Sequence, residues 1–209
     1  NAPLLQSDIE AIADVARRFA EKEIAPFIND WDEAGTFPRA LYRQAAAVGL
    51  HGLGYPESLG GMPAPYALRN AVSQTLSRYC GSGGLLASLF SHNIGLPPVL
   101  RYGSEALQQK VIPPVLLGEQ IAALAITEPG GGSDVASLRT TARLEGGEWV
   151  ISGEKVFITS GMRADWITAA VRTDPKMKGP MGVSMLVIPG HAAGVSRSRL
   201  DKMGWHCSD

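Results

Sequence analysis

The chain has 209 residues, 45% of them hydrophobic, and a formal net charge of −1. That composition suits a globular protein with a core to bury, and the near-neutral charge excludes capture of nucleic acid or a membrane surface by bulk electrostatics. Cys80 and Cys207 are far apart and neither has a CxxC neighbour, so no disulfide framework or zinc site is expected.

No apolar run reaches the roughly 20 residues of a membrane helix, and the N-terminus lacks the charged-then-apolar pattern of a signal peptide. A soluble, cytoplasmic protein is the expectation, with no metal and no membrane partner.

Up to Gly118 the apolar spacing is helical. Ile9, Ile12, Val15 and Phe19 recur at three- and four-residue steps, with Ser7 or Asp8 as candidate caps. Pro26 predicts a kink or restart, since proline removes a helix donor. Further helices are predicted from Pro38 to about Ala47, over Ala67–Tyr79, and over Gly84–Leu96 with Pro97-Pro98 as the stop. Ser104 is the predicted cap of a short helix through Leu107 and Val111, with another short one before Gly118.

Beyond Gly118 the pattern shortens and alternates. Gln120–Thr127, Arg139–Leu144, Glu148–Ser152, Val156–Thr159, Trp166–Val171, Gly182–Ile188 and Gly194–Arg199 read as strands bounded by Gly, Pro and Asp turns. The fold class is therefore α+β: an all-α domain over 1–118, then a β-barrel or sandwich domain over 119–209. The stop at Cys207-Ser208-Asp209, with no closing helix or linker, predicts a chain that is truncated or continues further.

Two stretches carry chemistry. In Ala125-Ile126-Thr127-Glu128-Pro129-Gly130-Gly131-Gly132-Ser133-Asp134 a strand ends at Thr127 and runs into a proline and three glycines. Such a loop exposes successive N–H groups, with hydroxyls from Thr127 and Ser133 at its ends, a set suited to a flat, acceptor-rich heterocycle or a phosphate. Taken alone, glycine-rich turns are more often only turns. The loop lacks the Gly-Lys-Ser/Thr of a Walker loop and the following helix of a dinucleotide fingerprint. In Gly153-Glu154-Lys155-Val156-Phe157-Ile158-Thr159-Ser160-Gly161, alternation puts Phe157 and Thr159 on one side of the predicted strand, where a ring and a hydroxyl can meet a heterocycle. A core phenylalanine beside a solvent-facing threonine has the same spacing.

Together, Ala125–Pro129 with Gly132-Ser133-Asp134 and Gly153–Gly161 resemble the acyl-CoA dehydrogenases. His92, Gly95, Gly103, Gln109-Lys110 and Pro113 upstream, and Lys202-Met203-Gly204-Trp205 before Ser208-Asp209, extend the likeness over essentially the whole chain. The resemblance implies a helical domain, a middle β domain and a C-terminal four-helix bundle, of which this chain carries the first two. It implies FAD as cofactor, held by Leu124, Ile126, Thr127, Gly132, Ser133, Phe157, Ile158 and Thr159. Phe157 stands where many relatives have tryptophan, Thr159 near flavin N5, and Ser133 also near the acyl-CoA thioester.

The implied reaction is α,β-dehydrogenation of an acyl-CoA with hydride transfer to N5, as in fatty acid β-oxidation. Electron-transferring flavoprotein would be the acceptor, and the enzyme a homodimer or homotetramer. The catalytic base would be a glutamate of the bundle, so no catalytic residue is expected in this chain, which alone would be inactive. Glu128 and Asp134 are assigned turn-capping roles and His92 none, while Glu154 and Lys155 read as a solvated pair. Two other readings remain: a flavin monooxygenase or nitroalkane oxidase of the same architecture, and a non-catalytic binding or scaffold module.

Overall fold

The computed structural model describes residues 5–209, which form two compact units. One holds the chain up to Phe90 together with Ser104–Gln120 and Asp201–Asp209; the other holds Ser91–Gly103 and Ile121–Leu200.

The first unit is helical. Helix α1 (Gln6–Phe19) begins one residue before the predicted caps. Asp8 acts from the third helical position, its carboxylate accepting the Leu5 N–H at 3.0 Å. A single π turn, Ala20–Ile24, buries Ala20 and Ile24 before Pro26 forces the restart into α2 (Ile28–Ala34), which Gly35 ends at φ +65°. In α3 (Ala40–Ala47) Leu41, Tyr42 and Ala45 face the core, and α4 (Tyr66–Tyr79) turns Val72 and Leu76 inward.

Helix α5 (Gly83–Leu89) is capped by the Ser82 hydroxyl, which accepts the Leu85 N–H at 3.2 Å. The predicted continuous helix to Leu96 does not form. The chain breaks after Leu89, and α6 (His92–Gly95) and α7 (Pro97–Tyr102) belong to the other unit. Pro97 starts a helix rather than stopping one, because a first-turn proline loses no helical hydrogen bond.

Conversely, the two short helices predicted before Gly118 are one, α8 (Glu105–Leu116), capped by Ser104 and carrying Pro113 and Pro114 near its end. Gly118, at φ +69°, lies against the Tyr42 backbone so closely that no β-carbon fits. Residues 201–209 return to this unit: the Cys207 N–H donates to Asp32 at 3.1 Å and the Ser208 and Ser88 hydroxyls meet at 2.8 Å.

The second unit is built on one five-stranded mixed sheet: β1 (Ala122–Ala125), β2 (Thr141–Glu145), β3 (Glu148–Ser152), β4 (Trp166–Arg172) and β5 (Val183–Pro189). Along β4, β5 pairs antiparallel over the full strand, while β1 pairs parallel with Trp166–Ala169 and β2 meets Arg172. The β2–β3 hairpin turns at Gly146-Gly147, both with positive φ. Ala125, Ala142, Ala169 and Val171 form a buried cluster with Ile151, Ile158, Ile167, Leu186 and Ile188 against it. The small residues of β1 admit α6: the Ser91 hydroxyl donates to the Ala122 carbonyl at 2.9 Å, and a β-carbon on Gly95 would lie 3.1 Å from the Ala123 carbonyl.

Two predicted strands are absent. Val156–Thr159 is a loop whose φ values of +60° at Phe157 and +62° at Ser160 cannot belong to a strand. Residues 194–199 form no ladder, and Arg197 instead donates to the carbonyls of Met162, Ala164 and Gly190. Alternating hydropathy marks a pleated ladder only where a neighbouring strand takes the backbone groups, and here none does.

Candidate functional site

The two stretches singled out in the sequence lie side by side at one end of the sheet. The first leaves β1 at Ala125 and closes a tight turn, in which Glu128 and Gly131 exchange both backbone hydrogen bonds at 3.1 and 3.0 Å. Pro129 and Gly130 fill the central positions. Gly132 then passes against Thr127, where an added β-carbon would lie 3.0 Å from Thr127 Cγ2. Asp134 opens a short 3-10 turn, Val135–Ser137, and accepts the Ser137 hydroxyl at 2.5 Å.

The second stretch is tied to the first. The Val156 N–H donates to the Thr127 carbonyl at 2.9 Å, and Lys155 Nζ reaches both the Ile126 carbonyl and Glu128 Oε1 at 2.9 Å. Lys155 is thus not the solvated partner of Glu154: its side chain is only 12% exposed, and its ion pair is with Glu128, 27 residues earlier. Spacing along the chain carries no signal for such a pair, which is why the sequence hides it.

Glu128 is 8% exposed. Burial opposes its ionisation, but Lys155 and the N–H groups of Arg139 (2.6 Å) and Thr140 (2.9 Å) outweigh that and hold the carboxyl at about 2. A carboxylate so stabilised is a feeble proton acceptor, in keeping with the capping role expected of it. Asp165 accepts the Ile121 N–H at 2.8 Å, and His92 is buried in α6.

Phe157 is 74% exposed and holds a left-handed backbone conformation that costs a bulky residue about 1–2 kcal/mol. Two anchors flank it: Lys155 and Val156 on one side, and on the other the Ile158 side chain in the sheet core followed by buried Ser160. The ring is therefore held out of the core rather than left out. Thr127 and Thr159 are half-buried, and among the described residues neither hydroxyl has a hydrogen-bond partner. Leu124 and Ile126 are half-buried at the end of β1, and Ser133 is exposed.

Sequence reasoning also missed Arg172 at the end of β4. Its guanidinium donates to the carbonyls of Leu138 and Ala136, just past Ser133-Asp134, and to those of Met177 and Gly179. It clamps the end of the glycine loop to the β4–β5 connection.

This pairing of loops is accompanied by a match over the whole chain. Residues 6–119 match the family model described as acyl-CoA dehydrogenase, N-terminal domain, and residues 123–208 match the acyl-CoA dehydrogenase middle domain. The chain belongs to the acyl-CoA dehydrogenase family.

Among its relatives is the rat long-chain specific acyl-CoA dehydrogenase of mitochondria, 31% identical over 99% of this chain and 48% of that protein. An acyl-CoA dehydrogenase structure from Geobacillus kaustophilus superposes with a TM-score of 0.91 at 35% identity, covering all of this chain and 55% of its own. A Bacillus anthracis acyl-CoA dehydrogenase solved in complex with FAD matches with a TM-score of 0.86 at 30% identity, over 98% of this chain and 34% of its own. The chain spans about half the length of the curated relatives it matches. Among the described residues, no helix is long and apolar enough to cross a membrane and no group of His, Cys, Asp or Glu could hold a metal ion.

Proposed function

We propose that this chain carries the cofactor platform of an FAD-dependent acyl-CoA dehydrogenase that removes the α and β hydrogens of an acyl-CoA thioester. One observation supports this most: the two loops are stitched together by Val156–Thr127 and Lys155–Ile126, and they carry the exposed Phe157 ring and two threonines with no hydrogen-bond partner among the described residues. A neutral set of hydroxyls and N–H groups beside a ring fits a flat, acceptor-rich heteroaromatic group, which the isoalloxazine of FAD is.

Leu124, Ile126, Thr127, Gly132, Ser133, Phe157, Ile158 and Thr159 would hold it. When bound, FAD supplies the hydride acceptor. Thr127 and Thr159 orient the ring through their hydroxyls and neighbouring N–H groups, and Phe157 covers part of a face and keeps water from it. Ile158 contributes through its backbone, since its side chain is committed to the sheet core. Exposed Ser133 is the proposed contact to the acyl-CoA.

The base that takes the α proton lies outside this set. Glu128 is held at about 2 by its donors, and Asp134 and Asp165 each already accept a hydrogen bond. We assign the base to a carboxylate outside these 209 residues, with 1–118 and 119–209 acting as the helical and middle domains of the enzyme. Without that carboxylate the chain alone would not turn over. An electron-transferring flavoprotein as acceptor, homo-oligomeric assembly and β-oxidation as the setting are proposed on family grounds. Two free buried cysteines suit a reducing compartment such as the cytoplasm.

The test is anaerobic. The complete polypeptide loaded with FAD should lose its visible absorption when an acyl-CoA is added, one flavin reduced per thioester, with no oxygen consumed. An FAD-loaded protein that reacts only when oxygen is present would sink the dehydrogenase assignment.

A further inference from the structure

Three segments converge on the Glu128 carboxylate: the glycine turn that carries it, the residues leading into β2 through the N–H groups of Arg139 and Thr140, and the second loop through Lys155. Lys155 also donates to the Ile126 carbonyl, one residue before Thr127. Phe157 follows two residues later in its strained left-handed conformation, which persists only if its surroundings over-determine it. On the far side that constraint is the Ile158 side chain in the sheet core; on the near side it is Lys155 and the Val156–Thr127 bond.

We propose that Glu128 and Lys155 are a positioning pair that fixes the angle at which Phe157 and Thr127 meet the flavin ring, and that neither is a proton donor or acceptor in the reaction. The assignment rests on the flavin reading above. It has a directional corollary. Glu128 must remain an acceptor, because two backbone N–H groups point at it whatever stands at position 155. Exchanging the charges would therefore fail outright, whereas neutralising both would recover part of the loss, since a glutamine oxygen accepts one of the two N–H groups while its NH2 opposes the other.

The experiment uses the complete polypeptide and reads the FAD dissociation constant and the visible circular dichroism of bound flavin, a signature of ring orientation that a merely structural role would not move. Lys155→Met should raise the dissociation constant on the order of 10-fold, as removal of a supporting partner commonly does, and should change the dichroic band even at saturating FAD. Adding Glu128→Gln to that variant should recover part of both. The charge-exchanged variant, Glu128→Lys with Lys155→Glu, should recover neither. If Lys155→Met lowers thermal stability but binds FAD with unchanged affinity and an unchanged dichroic band, the positioning role is wrong. If the unsubstituted protein binds no FAD, it is the flavin reading itself that fails.

Discussion

Glu128→Gln is the most informative single perturbation of the folded chain. The native carboxyl sits at about 2 against an ordinary 4.5, held there by Lys155, Arg139 and Thr140 over the opposing effect of burial. A folded value below the unfolded one contributes stability that is complete above pH 4.5 and is lost as pH falls through about 2. At 1.36 kcal/mol per pH unit the contribution is about 3 kcal/mol, on the order of a quarter to a half of a domain's whole stability. The amide keeps the shape and an acceptor oxygen but cannot be ionised.

Urea unfolding at a series of pH values should show Glu128→Gln less stable at pH 7 by up to about 3 kcal/mol, with the two proteins converging as the solution is acidified toward pH 2. The His51 transition is present in both proteins and cancels in their difference, which isolates the Glu128 carboxylate and its donors. Two curves that stay parallel from pH 7 to pH 2 would mean that the Glu128 hydrogen bonds do not carry the stability assigned to them.

His51 is buried between Tyr42 and Phe90 with its Nδ1 3.4 Å from the Val115 carbonyl. Burial lowers it to about 4 from 6.5, against the opposing effect of the Val115 and Leu89 carbonyls. Its stabilising contribution, about 3 kcal/mol, should be complete above pH 6.5 and fade as pH falls toward 4, a slope that His51→Gln abolishes in the same unfolding series. Gly84→Ala places a β-carbon 2.7 Å from Trp205 Cα, so thermal unfolding should show a loss of about 1–3 kcal/mol. Phe157→Gly should move two readouts in opposite directions, raising stability by about 1 kcal/mol through release of the left-handed strain while weakening FAD binding.

The order of helices before strands was legible because apolar periodicity is local. All five strands formed inside or within a residue of their predicted spans, β3 on its predicted span, and the Pro26 restart fell in its turn. Proline was read less well at Pro97 and Pro113, because its effect depends on where in a helix it falls, and only the structure fixes that. Phe157 to Thr159 mimicked a strand, since alternation does not reveal whether a neighbour takes the backbone groups. The candidate site residues were picked out by motif. What holds them was not, because Lys155 with Glu128 and Arg172 with Ala136 are pairings across 27 and 36 residues.

The central claim is that both loops grip one flavin, and the FAD affinity of Thr127→Val, Thr159→Val and the double variant measures it most directly. The account predicts that each single change weakens binding several-fold and that the double variant is weaker than either. Affinities in all three equal to that of the unsubstituted protein, with the fold intact, would contradict it.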